Sequence, residues 1–155
     1  LFGIDGPSWL QSSKWAMPAI VLASVWKDMG YFGLMLMSGL QGINQEYYDA
    51  AAIDGAGKIK QFTRITLPLL TPTLFFVLII SLINSFQLFT QIMIMTPDGG
   101  PLGSTMVMVE RIYKCGFRYY EMGTAAAYSW ILFAILLLLT MVQMKLQNKW
   151  VNYDD

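Results

Sequence analysis

The residues best suited to chemistry in this chain are amides and hydroxyls in an otherwise apolar segment. Ser81, Asn84, Gln87 and Gln91 recur at spacings of three, three and four residues, which places them on one stripe of a helix, with Ser85 adjacent. Amides are costly in hydrocarbon unless they are paired, so the stripe should face the interior of a helix bundle. Uncharged donors and acceptors suit a hydroxyl-rich ligand such as a sugar. The alternative is that these amides only hydrogen-bond neighbouring helices.

Composition argues against several other kinds of chemistry. The chain has 155 residues, ten basic and ten acidic, with no His and a single Cys, Cys115. These counts exclude an intrachain disulfide and a His-based triad, leave too few ligands for a zinc site, and do not favour nucleic acid. Gly57 and Lys58 are followed by Ile59 rather than Ser or Thr, so the phosphate-binding loop pattern is absent. We expect no metal, no bound ATP and no catalytic residues in this chain, and a small buried side chain at Cys115.

Apolar helices are the elements that must position the amides. Hydrophobic residues make up 55% of the chain, and the mean hydropathy is +0.49, so a bilayer is the expected solvent. Uncharged runs at 73–95 and 125–144 are long enough to cross a hydrocarbon layer of roughly 30 Å. With a third candidate at 16–40, the prediction is an all-α integral membrane protein, a transmembrane helix bundle fragment with three spans. Because the chain begins at Leu1 without Met, we expect an upstream portion to be missing.

The first candidate span, 16–40, carries two charges near its middle, Lys27 and Asp28. Each central charge costs roughly 2.5 to 3.5 kcal/mol on insertion scales, so the pair must face protein or water, or lie where the helix is broken. The alternative is that the pair marks a helix end near the interface. Trp26 and Gly30, beside the pair, join the amide stripe as candidates for a substrate pathway.

A polar insert separates the first two apolar runs. Residues 46–53 are Ala-rich and free of Gly and Pro, so they should be helical, and 54–57 should form a turn with room for positive φ at glycine. A second short helix follows, with Ile59, Phe62 and Ile65 on one face. Leu67-Pro68 is expected to end this helix, and Pro72 to begin the next one within its first turn.

Several residues of the insert form a pattern. An acidic residue and two Ala are followed by Asp-Gly-Ala, a spaced Phe, and Ile-Thr-Leu-Pro before a span; the residues are Asp49, Ala50, Ala51, Asp54, Gly55, Ala56, Phe62, Ile65, Thr66, Leu67 and Pro68. This pattern resembles the EAA loop of the membrane subunits of bacterial ABC importers that work with a substrate-binding protein. There are three departures: the family often has Pro where Asn44 stands, an aromatic residue where Ile59 stands, and Glu rather than Asp49.

Further residues extend the resemblance over nearly the whole chain, toward the sugar-importing branch with its maltose, lactose and glycerol-phosphate permease subunits. They are Trp26-Lys27-Asp28-Met29-Gly30-Tyr31, Leu40-Gln41, Gly99-Gly100-Pro101, Ser104-Thr105, Tyr113, Phe117, Met122-Gly123, Ala125 and Ala127.

The resemblance implies a multi-pass permease subunit of the bacterial cytoplasmic (inner) membrane, with the EAA loop (46–68) as a helix–turn–helix coupling element. The loop and the C-terminus would be cytoplasmic. Implied partners are ABC ATPase subunits, which hold ATP and magnesium, a second permease subunit, expected to be a different chain, and an extracytoplasmic solute-binding protein. The chain itself would bind no cofactor.

The ATPase-coupling residues would be Tyr47, Tyr48, Asp49, Ala50, Ala51, Asp54, Gly55, Ala56, Phe62, Leu67 and Pro68. Gly55 lets the chain reverse sharply, and Asp49 is expected to pair with a basic group nearby or on the partner.

The connection 96–124 is expected to fold on the outer surface, with a turn at 99–101 and a short amphipathic element that lies at the interface or meets the binding protein. Two rival functions remain open. An ion-gradient transporter or channel segment would use Lys27 and Asp28 as a relay, and a structural membrane subunit would only assemble with others. Both rivals leave the insert unexplained.

Overall fold

The computed structural model describes residues 8–147 and 150–151, and every regular element in that part of the chain is helical. The long helices are α1 (Ala16–Gln41), α5 (Thr71–Phe86) and α8 (Met122–Gln147), and the shorter ones are α2 (Gln45–Ile53), α3 (Lys58–Gln61), α4 (Leu67–Leu69), α6 (Thr90–Met95) and α7 (Met108–Tyr113). π-helical turns at Phe62–Thr66 and Lys114–Arg118 follow α3 and α7. The all-α prediction is confirmed.

Within the described residues, two helices are long and apolar enough to cross a membrane, α1 and α8. A third crossing is obtained if the segment Lys58–Leu69 and α5, which meet at a 60° bend, count as one span. The predicted segment 16–40 lies within α1 and 125–144 lies within α8. α1 runs through Lys27 and Asp28 without a break, so the alternative of a helix end at this pair is wrong.

The predicted helix at 73–95 is interrupted. α5 ends at Phe86, and α6 begins only at Thr90, with Phe89 at φ −125° and ψ −56° before it. Neither Gly nor Pro lies at this break, so the sequence carries no breaker signal there. Interrupted backbone at membrane depth is tolerated where it lines a polar cavity, and this segment lines one.

The described residues form two compact units. The first contains residues 8–28 and 83–138, and its buried apolar side chains are Ala16, Ile20, Ile92, Cys115 and Ala125. The expectation that Cys115 is a small buried side chain is confirmed.

The second unit contains residues 29–82, 139–147 and 150–151, with Leu70 and Phe75 buried. A Cβ at Gly39 would lie 2.5 Å from Thr73 Oγ1 and 2.9 Å from Leu70 Cδ1, so glycine lets α1 approach the start of α5 closely. The rings of Phe75 and Trp150 meet edge to face with centroids 6.0 Å apart, which places Trp150 beside the first half of α5.

Candidate functional site

The first candidate site is the hairpin of α2 and α3–α4, residues 44–70, called the coupling hairpin below. α2 begins at Gln45 because Asn44 has extended backbone and its Oδ1 accepts a hydrogen bond from the Glu46 amide at 3.1 Å. The family often has Pro where Asn44 stands. Here the Asn44 side chain caps the helix instead, by accepting a hydrogen bond from a backbone amide of its first turn. The predicted helix–turn–helix is confirmed.

The turn of the hairpin is a Schellman motif. The Ala56 amide donates to the Ala51 carbonyl at 2.9 Å, and the Gly55 amide donates to the Ala52 carbonyl at 3.0 Å. Gly55 has φ +74°, the left-handed region that favours glycine, while a Cβ there would meet no heavy atom within 4 Å. Glycine is therefore required at Gly55 for its backbone conformation and not for space. Asp54, an exposed residue at the helix end, donates its amide to the Ala50 carbonyl at 3.1 Å.

One side-chain hydrogen bond joins the two arms of the hairpin, and a second ties α3 to the turn. The hydroxyls of Tyr48 in α2 and Thr66 in the π turn lie 2.9 Å apart, and Thr66 is buried. Gln61 Nε2 donates to the Ala56 carbonyl at 3.1 Å. Tyr48 was predicted as an anchor for a partner, but here it is also an internal tie. The sequence does not predict these hydrogen bonds of Thr66 and Gln61, because the bonded residues are 18 and 5 positions apart and neither spacing belongs to the repeat of a helix.

The second helix of the hairpin ends at Leu69, one residue beyond the predicted end at Leu67-Pro68, and the chain bends by 60° before α5. Helical backbone continues through α4 to Leu69. A π turn precedes α4, and in it the Leu67 amide donates to the Phe62 carbonyl, five residues earlier. Pro68 is the second residue of α4 and has no amide hydrogen to donate. Pro72 lies in the first turn of α5, as predicted.

The outer surface of the coupling hairpin carries apolar side chains that the chain itself does not cover. Ile53 is 88% exposed and Ile59 is 83% exposed, and Phe62, Tyr47 and Leu67 are also exposed. Asp49 is exposed, and its Oδ1 accepts from Gln45 Nε2 at 3.3 Å. Within residues 8–147 and 150–151, no basic side chain forms an ion pair with Asp49.

The second candidate site is a polar cavity of about 250 Å³, called the amide pocket below. Its lining residues are Lys27, Asp28, Asn84, Gln87, Leu88 and Gln91. Lys27 Nζ lies 3.2 Å from Asp28 Oδ1, so the two charges in the middle of α1 pair with each other and face the amides. The break before α6 does not separate Gln91 from Asn84 and Gln87.

The other pathway candidates do not line this pocket. Trp26 is 79% exposed, and Ser85 is exposed on α5. Ser81 donates to the Leu78 carbonyl of its own helix at 3.1 Å. Around Gly30, a Cβ would meet nothing within 4 Å. The structure thus brings together all three predicted amides, Asn84, Gln87 and Gln91, and adds Lys27 and Asp28 to them.

A third site was not predicted. In the connection between α6 and α8, residues 96–121, four charged side chains form what is called the charge cluster below: Asp98, Glu110, Lys114 and Arg118. Lys114 Nζ lies 3.0 Å from Glu110 Oε1 and 3.7 Å from Asp98 Oδ1, and Arg118 donates to Asp98. Glu110 is only 3% exposed. The four-residue spacing of Glu110, Lys114 and Arg118 was a visible signal, but the approach of Asp98 was not.

The charge cluster depends on an unusual turn. Asp98 and Leu102 have φ of 63° and 55°, and the glycines among and beside them, Gly99, Gly100 and Gly103, also have positive φ. The hydrogen bond and charge of Arg118 hold the pKa of Asp98 below the usual range for aspartate. The same contacts raise the pKa of the Arg118 guanidinium.

Comparison with curated proteins finds similar permeases. The chain is 36% identical over 148 residues to the probable ABC transporter permease protein YesP of Bacillus subtilis, covering 95% of this chain and 48% of that protein. It is 37% identical over 154 residues to the sn-glycerol-3-phosphate transport system permease protein UgpA of Pectobacterium atrosepticum, covering 98% of this chain and 52% of that protein. The chain thus spans about half the length of these relatives.

The fold also matches a solved structure. A bacterial ABC transporter involved in the import of the acidic polysaccharide alginate superposes with a TM-score of 0.82 at 24% identity, over 95% of this chain and 51% of that one. A second structure of such a transporter, in complex with an alginate pentasaccharide-bound periplasmic protein, gives a TM-score of 0.80 at 24% identity. The family model described as binding-protein-dependent transport system inner membrane component matches residues 1–153. The chain therefore belongs to this family of inner membrane transport components, which are not enzymes.

Proposed function

We propose that this chain is part of the permease of an ATP-driven, binding-protein-dependent importer, and that it couples a translocation pathway to a separate ATPase subunit. The observation that carries the proposal is the coupling hairpin. Its turn and its Tyr48–Thr66 tie fix its shape, while Ile53 and Ile59 are left exposed. Exposed apolar side chains on a fixed element are typical of a docking surface.

The ATPase is the proposed occupant of this surface. ATP and magnesium would be held by that partner, and this chain would bind no cofactor. Asp49 has no ion-pair partner among the described residues, which supports pairing with a basic group on the ATPase. Ala50, half-buried Ala51 and Ala52 offer a small-residue surface that lets a partner helix approach closely.

The proposed orientation places the coupling hairpin and the C-terminus in the cytoplasm. The contact of Phe75 with Trp150 supports one side for both, since it joins Trp150, which follows α8, to the first half of α5, directly after the hairpin. The α6–α8 connection would then face the extracytoplasmic solute-binding protein. A second permease subunit would complete the pathway, and the exposed Trp130 and Phe133 of α8 offer apolar surface for that subunit or for lipid.

The proposed substrate is a sugar or a similarly hydroxyl-rich solute, bound in the amide pocket. Asn84, Gln87 and Gln91 supply uncharged donors and acceptors, and the paired Lys27 and Asp28 add charged ones without net charge. The relative named for sn-glycerol 3-phosphate transport supports a small solute that carries hydroxyl groups. If the amides only hydrogen-bond neighbouring helices, removal of one of them should not change the affinity for the substrate.

The experiment is uptake by proteoliposomes that contain the complete transporter with its ATPase and binding protein. We expect uptake to require internal ATP and to continue when an ionophore collapses the ion gradients. Asn84→Ala should raise KM while assembly is unchanged, with Ser85→Ala as the control on the same helix. Loss of uptake on adding the ionophore, with ATP present, would contradict the proposal and favour an ion-gradient transporter that uses Lys27 and Asp28. Reduced assembly with unchanged KM in Asn84→Ala would reassign the amides to helix packing.

A further inference from the structure

The amide pocket contains one positive and one negative side chain, and the rest of its lining is uncharged. Lys27 and Asp28 supply the charges, and the wall is completed by Asn84, Gln87, Leu88 and Gln91. We propose that Asp28 is a specificity-determining residue, which neutralises Lys27 so that the pocket takes uncharged, hydroxyl-bearing solutes and rejects anionic ones. The inference deepens the proposed function and rests on it, because it assumes that the solute passes through the amide pocket.

Membership of the family does not fix the charge of the solute. One relative is named for the transport of sn-glycerol 3-phosphate, which is an anion. A pocket that binds an anion gains affinity and speed from a net positive charge, and a pocket for a neutral solute does not. The charges that line the pocket of this chain are therefore the feature that separates the two classes of solute.

The positive charge of the pocket is already paired. Lys27 Nζ lies 3.2 Å from Asp28 Oδ1, and the Lys27 side chain is 57% exposed against 33% for Asp28. The ammonium is the more accessible of the two groups, so an incoming anion would meet it first. That anion would also be repelled by the Asp28 carboxylate, which is in contact with the same ammonium. The two interactions oppose each other, and the pocket offers an anion little net attraction.

No second cation lines the amide pocket in the part of the chain that the structure describes. Three basic side chains of the α6–α8 connection, Arg111, Lys114 and Arg118, line other cavities. The charge of the amide pocket is therefore set by Lys27 and Asp28. Neutralising Asp28 leaves a net charge of one positive unit, neutralising Lys27 leaves one negative unit, and neutralising both restores zero.

The amides of the pocket remain available to a neutral solute. Among residues 8–147 and 150–151, the side chains of Asn84, Gln87 and Gln91 form no hydrogen bond with one another or with the ion pair. Each amide has both a donor and an acceptor, and so has a solute hydroxyl. A neutral solute can therefore bond to the amides without breaking the contact between Lys27 and Asp28.

Charged thiol reagents test the charge of the pocket in the complete transporter. Cys115 is the only cysteine of the chain, so Leu88→Cys in a Cys115→Ser background places a reporter in the pocket wall. The rates of labelling of this chain by an anionic and by a cationic methanethiosulfonate are compared by mass spectrometry. Adding Asp28→Asn should raise the anionic-to-cationic ratio about tenfold, and adding Lys27→Gln should lower it. The ratio should return to its parent value when both are added. Leu102→Cys, at a position that is 97% exposed on the α6–α8 connection, is the control and should show no change.

Protection by anions tests the specificity itself. Inorganic phosphate and sn-glycerol 3-phosphate are each compared with sodium chloride at the same ionic strength. Neither should slow the labelling of Leu88→Cys in the parent background, and at least one should slow it severalfold once Asp28→Asn is added. Protection by either anion in the parent background would overturn the proposal, while uptake that requires ATP would still support the proposed function.

Two other outcomes would also overturn the role of Asp28. One is an unchanged reagent ratio in Asp28→Asn, and the other is a changed ratio without protection by either anion in that variant. If Asp28→Asn fails to assemble, Lys27→Gln supplies the decisive measurement, since it removes the other charge of the same pair. An unchanged ratio in Lys27→Gln would show that the ion pair does not set the charge of the pocket.

Discussion

The coupling hairpin and the α6–α8 connection both join longer helices and both leave apolar side chains exposed, yet they are stabilised by different contacts. The hairpin leaves Ile53 and Ile59 exposed and holds its shape with one turn motif and two neutral side-chain hydrogen bonds. The connection buries Glu110 and Lys114, and Asp98, which pairs with Lys114, lies in a turn where Asp98 and Leu102 have positive φ as well as three glycines. The hairpin, which is proposed to dock on a partner protein, is thus held by neutral hydrogen bonds, whereas the connection is stabilised largely by its own charges.

Breaking the charge cluster should have the largest effect. Lys114→Met would leave the buried Glu110 carboxylate without its ion pair, and breaking a buried pair typically costs about 3 to 5 kcal/mol. We expect a clear loss of thermal stability, measured by heating the purified transporter and following the intact complex by size-exclusion chromatography. Lys58→Met, at an exposed position of the hairpin, should change little. Adding Glu110→Gln to Lys114→Met should restore much of the loss, and equal effects at Lys58 and Lys114 would contradict the comparison.

Substitution of Gly55 should have the next largest effect, and this effect should be on the coupling of ATP hydrolysis to transport. Gly55→Val forces a β-branched residue to φ +74°, at a cost of about 1 to 3 kcal/mol, and redirects the chain at the turn. We expect substrate uptake to fall at least tenfold while ATP hydrolysis by the partner continues. Gly57→Ala is the matched control, because Gly57 has φ −67° and open space around it. Unchanged transport per ATP in Gly55→Val would show that the shape of the turn does not matter for coupling.

The internal tie of the hairpin should contribute less. Tyr48→Phe removes the hydroxyl that lies 2.9 Å from Thr66 Oγ1, which should cost about 0.5 to 1.5 kcal/mol. We expect faster hydrogen exchange at the amides of α2, measured by mass spectrometry. Tyr47→Phe changes an exposed ring of the same helix and should leave this exchange unaltered. If both variants behave alike, the tie does not hold the arms together.

The smallest effect concerns pH. The pKa of Asp98 is lowered by its hydrogen bond with Arg118, so the stabilisation from this pair is fully present above the pKa of an unfolded aspartate and is lost only as pH falls through the lowered value. The stability difference between the parent and Asp98→Asn should therefore be constant between about pH 5 and 8. Asp49→Asn, without an ion pair among the described residues, should show no difference at any pH in this interval. A difference that disappears on going from neutral pH to about pH 5 would contradict the assignment.

Much of the hairpin could be predicted from the sequence because its structure is local. The structural effects of the Ala-rich helix, the glycine at the turn and Pro72 extend over only a few neighbouring residues. The predicted end of the second helix differs from the observed end at Leu69 by one residue, and the π turn before it is not predicted because no residue type signals one.

The features of the structure that the sequence does not predict depend on contacts between residues that are far apart along the chain. The interruption after Phe86 has no Gly or Pro to signal it, and the uncharged run looked like one continuous helix. The charge cluster requires Asp98 and Leu102 to adopt positive φ, which sequence patterns do not predict for these residue types. The amide stripe was anticipated from spacing alone, but the ion pair of Lys27 and Asp28 facing it was not.

The most direct test of the central claim places a photocrosslinking residue at one exposed apolar position in each region. Ile53→p-benzoylphenylalanine probes the coupling hairpin, and the same substitution at Leu102, which is 97% exposed, probes the α6–α8 connection. We predict that irradiation of the assembled transporter links position 53 to the ATPase subunit, and that position 102 gives no ATPase product. A link from position 53 to the solute-binding protein, or no ATPase link in a transporter that still imports substrate, would contradict the account.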